Sequence, residues 1–163
     1  MWRRALRDSA SLRELRVDEC GIRYEGCLAI IMEAGNVPCL AFYRSGLSTL
    51  DLSNNCIEDA GATQLADMLQ ESKSLTALAL RCDVVDTSIG PRGFIALCAG
   101  VKKSASLREL DFSFRASERE SFRLGWRGGK AVSSALRMST TLTKLNLANL
   151  ILKVRSRCLL VLL

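Results

Sequence analysis

The chain of 163 residues contains no histidine. That removes Ser–His and Cys–His catalytic pairs, and with them the side chain that most often moves protons near neutral pH. The seven cysteines include no C-x-x-C pair and no histidine stands beside them, so the ligand spacing of a zinc site is not present. N-x-S/T sequons and patterned carboxylate pairs are absent too. CLLVLL at residues 158–163 is too short to span a bilayer, and Lys153, Arg155 and Arg157 prevent its extension. MWRRALR at residues 1–7 is basic, but no apolar run of signal length follows it, so it reads as the end of a helix. GWRGGK at residues 125–130 imitates a phosphate loop, yet its spacing is short and Ala131 stands where Ser or Thr is needed. These absences argue against an enzyme, a cofactor, a metal site and a membrane segment.

What is present suits a folded core. Apolar residues make up 48% of the chain, enough for one compact domain over residues 1–163. Cys20, Cys27, Cys39, Cys56, Cys82, Cys98 and Cys158 are odd in number and sit at small or apolar positions. This predicts buried thiols in a reducing compartment, hence a cytoplasmic location.

One spacing recurs along the sequence. In residues 47–74 Leu47, Leu50, Leu52, Asn55, Ile57, Gly61, Leu65 and Leu69 share a frame, L-x-x-L-x-L-x-x-N-x-I followed by an apolar helical stripe. Leu50 and Leu52 alternate as strand residues do, so both face one side. Leu65 and Leu69 lie one helical turn apart and can pack back onto that side. The frame opens at Leu12, Leu47, Leu75, Leu107 and Leu142, at intervals of 35, 28, 32 and 35 residues. Gly26 and Ile30, Gly93 and Leu97, Gly128 and Val132, and finally Leu160 occupy the helical columns. Trp2 and Leu6 fall where an earlier repeat would place its helix, and Leu163 interrupts the last one. The chain therefore reads as an internal fragment, or a truncated gene model, of a longer array.

These motifs resemble leucine-rich repeat proteins of the ribonuclease-inhibitor-like subclass, which include the arrays of NOD-like receptors and Ran GTPase-activating protein. The resemblance covers roughly residues 2–160. It implies an α/β right-handed solenoid, a curved horseshoe segment with a parallel β-sheet on the concave side and α-helices on the convex side. The Asn column departs from the family pattern. Asn55 keeps the residue and Cys20 is an accepted substitute, whereas Asp83, Arg115 and Leu150 are not. Since that side chain caps buried backbone groups, the turns of repeats four and five should be looser than that of repeat two.

If the strands stack in parallel, the residues between the leucines line the concave face. One column reads Glu14, Thr49, Ala77, Glu109, Lys144, and the next Arg16, Asp51, Ala79, Asp111, Asn146. The third holds Asp18, Ser53, Arg81, Ser113 and Ala148. Arg16 would lie beside Asp51, and Glu109 beside Lys144. These charges either satisfy one another or form a recognition surface with a notch at Ala77 and Ala79. A second candidate is the insertion at residues 113–130, with Arg115, Arg119, Arg123, Arg127 and Lys130 opposed only by Glu118 and Glu120. Five bases less two acids give +3 of the chain's net +6. Phe114, Phe122 and Trp126 are interleaved with them, so the segment either tucks onto the slab or engages a protein or an anionic ligand. The insertion GNVPCLAFYRSG reads as a packed loop anchored by Phe42 and Tyr43.

The resulting expectation is a non-catalytic scaffold that binds a protein partner through the concave face and the basic insertion. Two alternatives are a GTPase-activating array similar to Ran GTPase-activating protein, to which no residue can be matched, and an anionic partner held by the insertion. Nucleic acid is the less favoured partner.

Overall fold

The computed structural model describes residues 11–31, 46–82, 89–114 and 122–151. Trp2, Leu6, Phe42, Tyr43, Leu160 and the two chain ends lie outside them, as do Cys39 and Cys158. Five three-residue strands form one parallel sheet in the order β1, β2, β3, β4, β6. They are β1 (Glu14–Arg16), β2 (Thr49–Asp51), β3 (Ala77–Ala79), β4 (Glu109–Asp111) and β6 (Lys144–Asn146). The helices are α1 (Tyr24–Ile31), α2 (Glu58–Glu71), α3 (Pro91–Lys103) and α4 (Gly125–Met138). Successive helices pack against each other, α1 on α2, α2 on α3 and α3 on α4. Each of the first four strands of this sheet is thus followed by a helix, in a unit whose core is completed by its neighbours.

The register carries the predicted row of leucines. Leu15, Leu50, Leu78, Leu110 and Leu145 are successive partners across the sheet. Leu50, Leu78 and Leu110 are buried, while Leu15 and Leu145 at the outer strands are half-buried against the same core. Leu52, Leu80 and Phe112 form the next buried row, met from the helical side by Leu65, Leu69, Leu97, Val101 and Val132. Phe94 of α3 and Phe112 pack with their rings tilted by 48°, at 4.8 Å between ring centroids.

The strand bonds continue past the strands. Val17 N–H donates to Asp51 C=O at 3.0 Å and Glu19 N–H to Ser53 C=O at 3.1 Å. Later repeats copy this, with Leu52 N–H to Ala79 C=O and Leu80 N–H to Asp111 C=O. Asn55 ties two turns together. Its Nδ2 donates to the carbonyls of Val17, Leu52 and Ser53, and its Oδ1 accepts from Ile22 N–H at 2.9 Å. One buried amide therefore engages four backbone groups in two repeats, its two N–H protons shared among three carbonyls.

Two further devices repeat. A serine ends each of the last three helices: Ser72, Ser104 and Ser139 accept from the N–H of Leu75, Leu107 and Leu142 through Oγ, at 3.1, 3.2 and 3.2 Å. The side chain thereby stops the helix and orients the next strand. At the helix starts, a Cβ at Gly61 would sit 2.6 Å from Ile57 Cγ2, and one at Gly128 would sit 2.4 Å from Leu124 Cβ. The I-x-x-x-G spacing therefore leaves room for the preceding apolar side chain.

The structure amends three expectations. Cys20 is exposed, and its Sγ donates to Asp18 C=O, because its turn lies at the outer strand with no described repeat covering it. Cys27, Cys82 and Cys98 are buried and Cys56 is half-buried. Part of the 113–130 insertion is not loop: β5 (Phe122–Arg123) pairs in parallel with β7 (Leu150–Ile151) beyond the main sheet. Asp83 and Arg115 lie outside the described residues. In the fifth repeat Leu150 joins β7, and Asn149, one position earlier at φ +64°, donates from Nδ2 to Phe114 C=O. A different residue thus ties that turn to its neighbour.

Replacing Asn55 by alanine removes its bonds to the Val17, Leu52 and Ser53 carbonyls and to Ile22 N–H, of which Ser53 C=O keeps Glu19 N–H, and is expected to cost about 2–4 kcal/mol in urea denaturation. Leu78→Ala should cost a similar ~2–5 kcal/mol through the cavity it opens in the row. Burial pushes the Cys27 and Cys98 thiols up from an ordinary 9.0 to about 12. In the folded protein at pH 8, an alkylating reagent should therefore modify Cys20 and leave Cys27 and Cys98 unmodified, as read by peptide mass spectrometry. Because the folded values are raised, this contribution to stability is intact below pH 9 and declines as pH rises toward 12.

Candidate functional site

The concave face is built from the two columns between the leucine rows. Glu14, Thr49, Ala77, Glu109 and Lys144 are successive ladder partners, as are Arg16, Asp51, Ala79, Asp111 and Asn146. Alternation sends these side chains away from the leucine core. In the central strand both are alanines, and the longer side chains around them enclose a depression of about 410 Å³. Ala77 and Ala79 form its floor. Arg16, Thr49, Asp51, Arg81, Glu109, Asp111, Lys144 and Asn146 form its walls. Asp18 is exposed in the first turn and does not line it.

Three ion pairs connect the described charges, and only one of them is the pair expected from the columns. Lys144 Nζ meets Glu109 Oε2 at 3.1 Å. Arg16 is Asp51's ladder partner but turns along its own strand to Glu14. Asp51 instead takes Arg81 Nη2 at 3.1 Å from the following repeat. Ser53 explains this choice. Its Oγ accepts from Arg81 N–H at 3.1 Å and from Nε at 3.3 Å, which draws the guanidinium toward the Asp51 carboxylate. Asp51 Oδ1 also accepts from Ser53 N–H at 3.0 Å, so the carboxylate is held on both oxygens.

That last bond is a repeated turn. Asp111 Oδ1 accepts from Ser113 N–H and Oγ, and Asn146 Oδ1 from Ala148 N–H. An Asp or Asn two residues before the bend caps the chain as it leaves the strand. These side chains thus serve the fold as well as the surface, a reading available from the D-x-S spacing alone. Arg81, in the third column, is the wall residue most strongly engaged.

The basic insertion is divided. Arg115 and Arg119 lie outside the described residues, and Arg123 contributes its backbone to β5. Trp126, Arg127 and Lys130 sit in the first turns of α4, on the helical layer and not on the concave sheet. Trp126 does not tuck onto the slab: it is 55% exposed, with the Arg127 guanidinium 5.8 Å from its ring centroid. Phe114 does pack inward, edge-on to Phe112 at 5.5 Å. Among the described residues no group of His, Cys, Asp and Glu side chains is arranged to hold a metal ion, and no helix is long and apolar enough to cross a membrane.

Comparison with known proteins agrees with this architecture. A family described as "Leucine Rich repeat" matches residues 8–30 and 47–66. No curated protein matches the chain in sequence. Among solved structures, the tropomodulin C-terminal domain of Caenorhabditis elegans is similar, with 19% identity and a TM-score of 0.68 over 89% of this chain and 79% of that one. A structure titled Leiomodin-1 Actin-Binding Site 2 shares 21% identity and a TM-score of 0.67, covering 88% and 75%.

Because Asp51 is buried and held by Arg81 and Ser53, Asp51→Ala should cost about 1–3 kcal/mol. Lys144→Ala breaks an exposed pair and should fall within about 1 kcal/mol of the parent. Urea denaturation of both variants checks the difference. With sheet, helices, register and likeness in place, the chain folds as a leucine-rich repeat solenoid.

Proposed function

We propose that this protein is a non-catalytic, cytoplasmic interaction scaffold that binds a protein partner across its concave face, with Trp126, Arg127 and Lys130 as a further contact point. The observation that carries this reading is the alanine-floored depression set among fixed charges. A sheet face maintained only for stability gains little from such a choice, since exposed cross-strand pairs contribute about 0.2–1 kcal/mol each. Two alanines in the central strand instead leave space for a partner side chain, while Arg81, Asp51, Glu109 and Lys144 supply orienting charges in held positions. Preorganised polar walls around an open floor lower the cost of ordering on binding.

Actin is the first partner to test, because one structure of like fold is titled as an actin-binding site. Binding to filaments by co-sedimentation and to monomer by native electrophoresis should be found with the parent protein. Ala79→Leu, which fills the floor, should then weaken it about tenfold or more, a loss of about 1.4 kcal/mol. Unchanged affinity in that variant would place the contact elsewhere and overturn the concave-face reading. Absence of binding would exclude actin as the partner. Stimulated GTP hydrolysis on addition of the protein to small GTPases would replace the scaffold with a GTPase-activating array.

A further inference from the structure

Charge on the helical layer is sorted by helix. α2 carries Glu58, Asp59, Asp67 and Glu71 and no lysine or arginine. α3 carries Arg92, Lys102 and Lys103, and α4 carries Arg127, Lys130 and Arg137, with no acid on either helix. All six cations are exposed, and none forms an ion pair with a described residue. Their sum equals the net charge of the whole chain, +6, so the remaining residues balance. The insertion noted in the sequence is therefore only one corner of a larger basic surface.

The shape of that surface restricts its occupant. Lys130 and Arg137 fall with Trp126 on one stripe of α4, at intervals of four and seven residues. Arg92 and Lys103 lie at opposite ends of α3, roughly 16 Å apart at 1.5 Å per residue. Trp126 and Met138, at 55% and 51% exposure, are the large exposed apolar side chains among the described residues, and both belong to α4. On the other border, α2 approaches α3 so closely that a Cβ at Gly100 would lie 2.6 Å from Ala66 C=O. The acidic helix is therefore within about 10 Å of α3, the nearer of the two basic helices, close to the screening length at physiological salt. A bilayer or a nucleic-acid duplex laid over α3 and α4 would also overlie α2 and be repelled. A single nucleic-acid strand is narrow enough, but Trp126 alone gives it one ring on which to stack.

We propose that the outer face of α3 and α4 docks an acidic protein segment no wider than one helix, with the six cations meeting its carboxylates and Trp126 and Met138 its apolar residues. This surface lies on the opposite layer from the concave sheet and does not depend on the concave-face reading.

The test uses the full chain with poly-L-glutamate, phosphatidylserine vesicles and single-stranded oligothymidylate as separate probes. Poly-L-glutamate should bind best, with affinity falling about tenfold or more between low and high salt, since exposed charges are screened. Lys102→Glu, Lys103→Glu and Arg137→Glu combined should lower that affinity at least tenfold, while circular dichroism stays unchanged. Ala79→Leu should leave it unaltered, and Asp67→Lys should leave it unaltered or raise it. If the triple variant does not fold, Lys103→Glu and Arg137→Glu are read singly, each with a several-fold loss. Stronger binding to vesicles or oligothymidylate, no binding to poly-L-glutamate, or binding insensitive to these reversals would overturn the proposal.

Discussion

Everything in this molecule depends on one constraint: a three-residue strand cannot bury its own leucine or pair its own backbone. Leu50 becomes buried only because Leu15 and Leu78 stand on either side of it and α2 covers it. The backbone obeys the same rule, since each of the first four turns donates its amides to carbonyls of the next repeat. Neighbour-to-neighbour completion makes stability a property of the stack. It also frees the outward side chains, which contribute little to the core and can vary for recognition.

Polar groups enforce the register that the leucines alone would permit to slip. Asn55 joins the first and second turns, Arg81 joins the second and third through Ser53 and Asp51, and Lys144 joins the fourth and fifth strands through Glu109. A shift of one residue would turn every leucine outward and break these bonds together. The same Asp51–Arg81 pair forms part of the wall of the depression, so the groups that align the stack also shape its surface.

Much of the fold was legible in the sequence because the periodicity is local and physical. Leu50 and Leu52 announced a strand, Leu65 and Leu69 a helix, and the 28-residue return at Leu75 announced stacking. The ladder partners of Thr49 and Asp51 followed from the frame without coordinates. Side-chain partners did not. Arg16 had two carboxylates within reach and took Glu14, and Asp51 took Arg81, because Ser53 sits between them. Column position says who stands next to whom, whereas a rotamer choice depends on a third residue. Cys20 was misread for a related reason: its column is covered in the second repeat, but in the first it lies at the outermost described strand. The sorting of charge between α2 and the helices after it was visible in the residues too, yet it acquires meaning only when the three helices lie side by side.

The most direct measurement of the stacked interior is a leucine methyl-labelled NMR spectrum of the native protein. Each of Leu15, Leu50, Leu78, Leu110 and Leu145 should show methyl–methyl contacts with its neighbours in that row. None should appear between residues two places apart, which are separated by about twice the 4.8 Å strand spacing. Contacts between Leu50 and Leu110, or no contact between Leu50 and Leu78, would contradict the account.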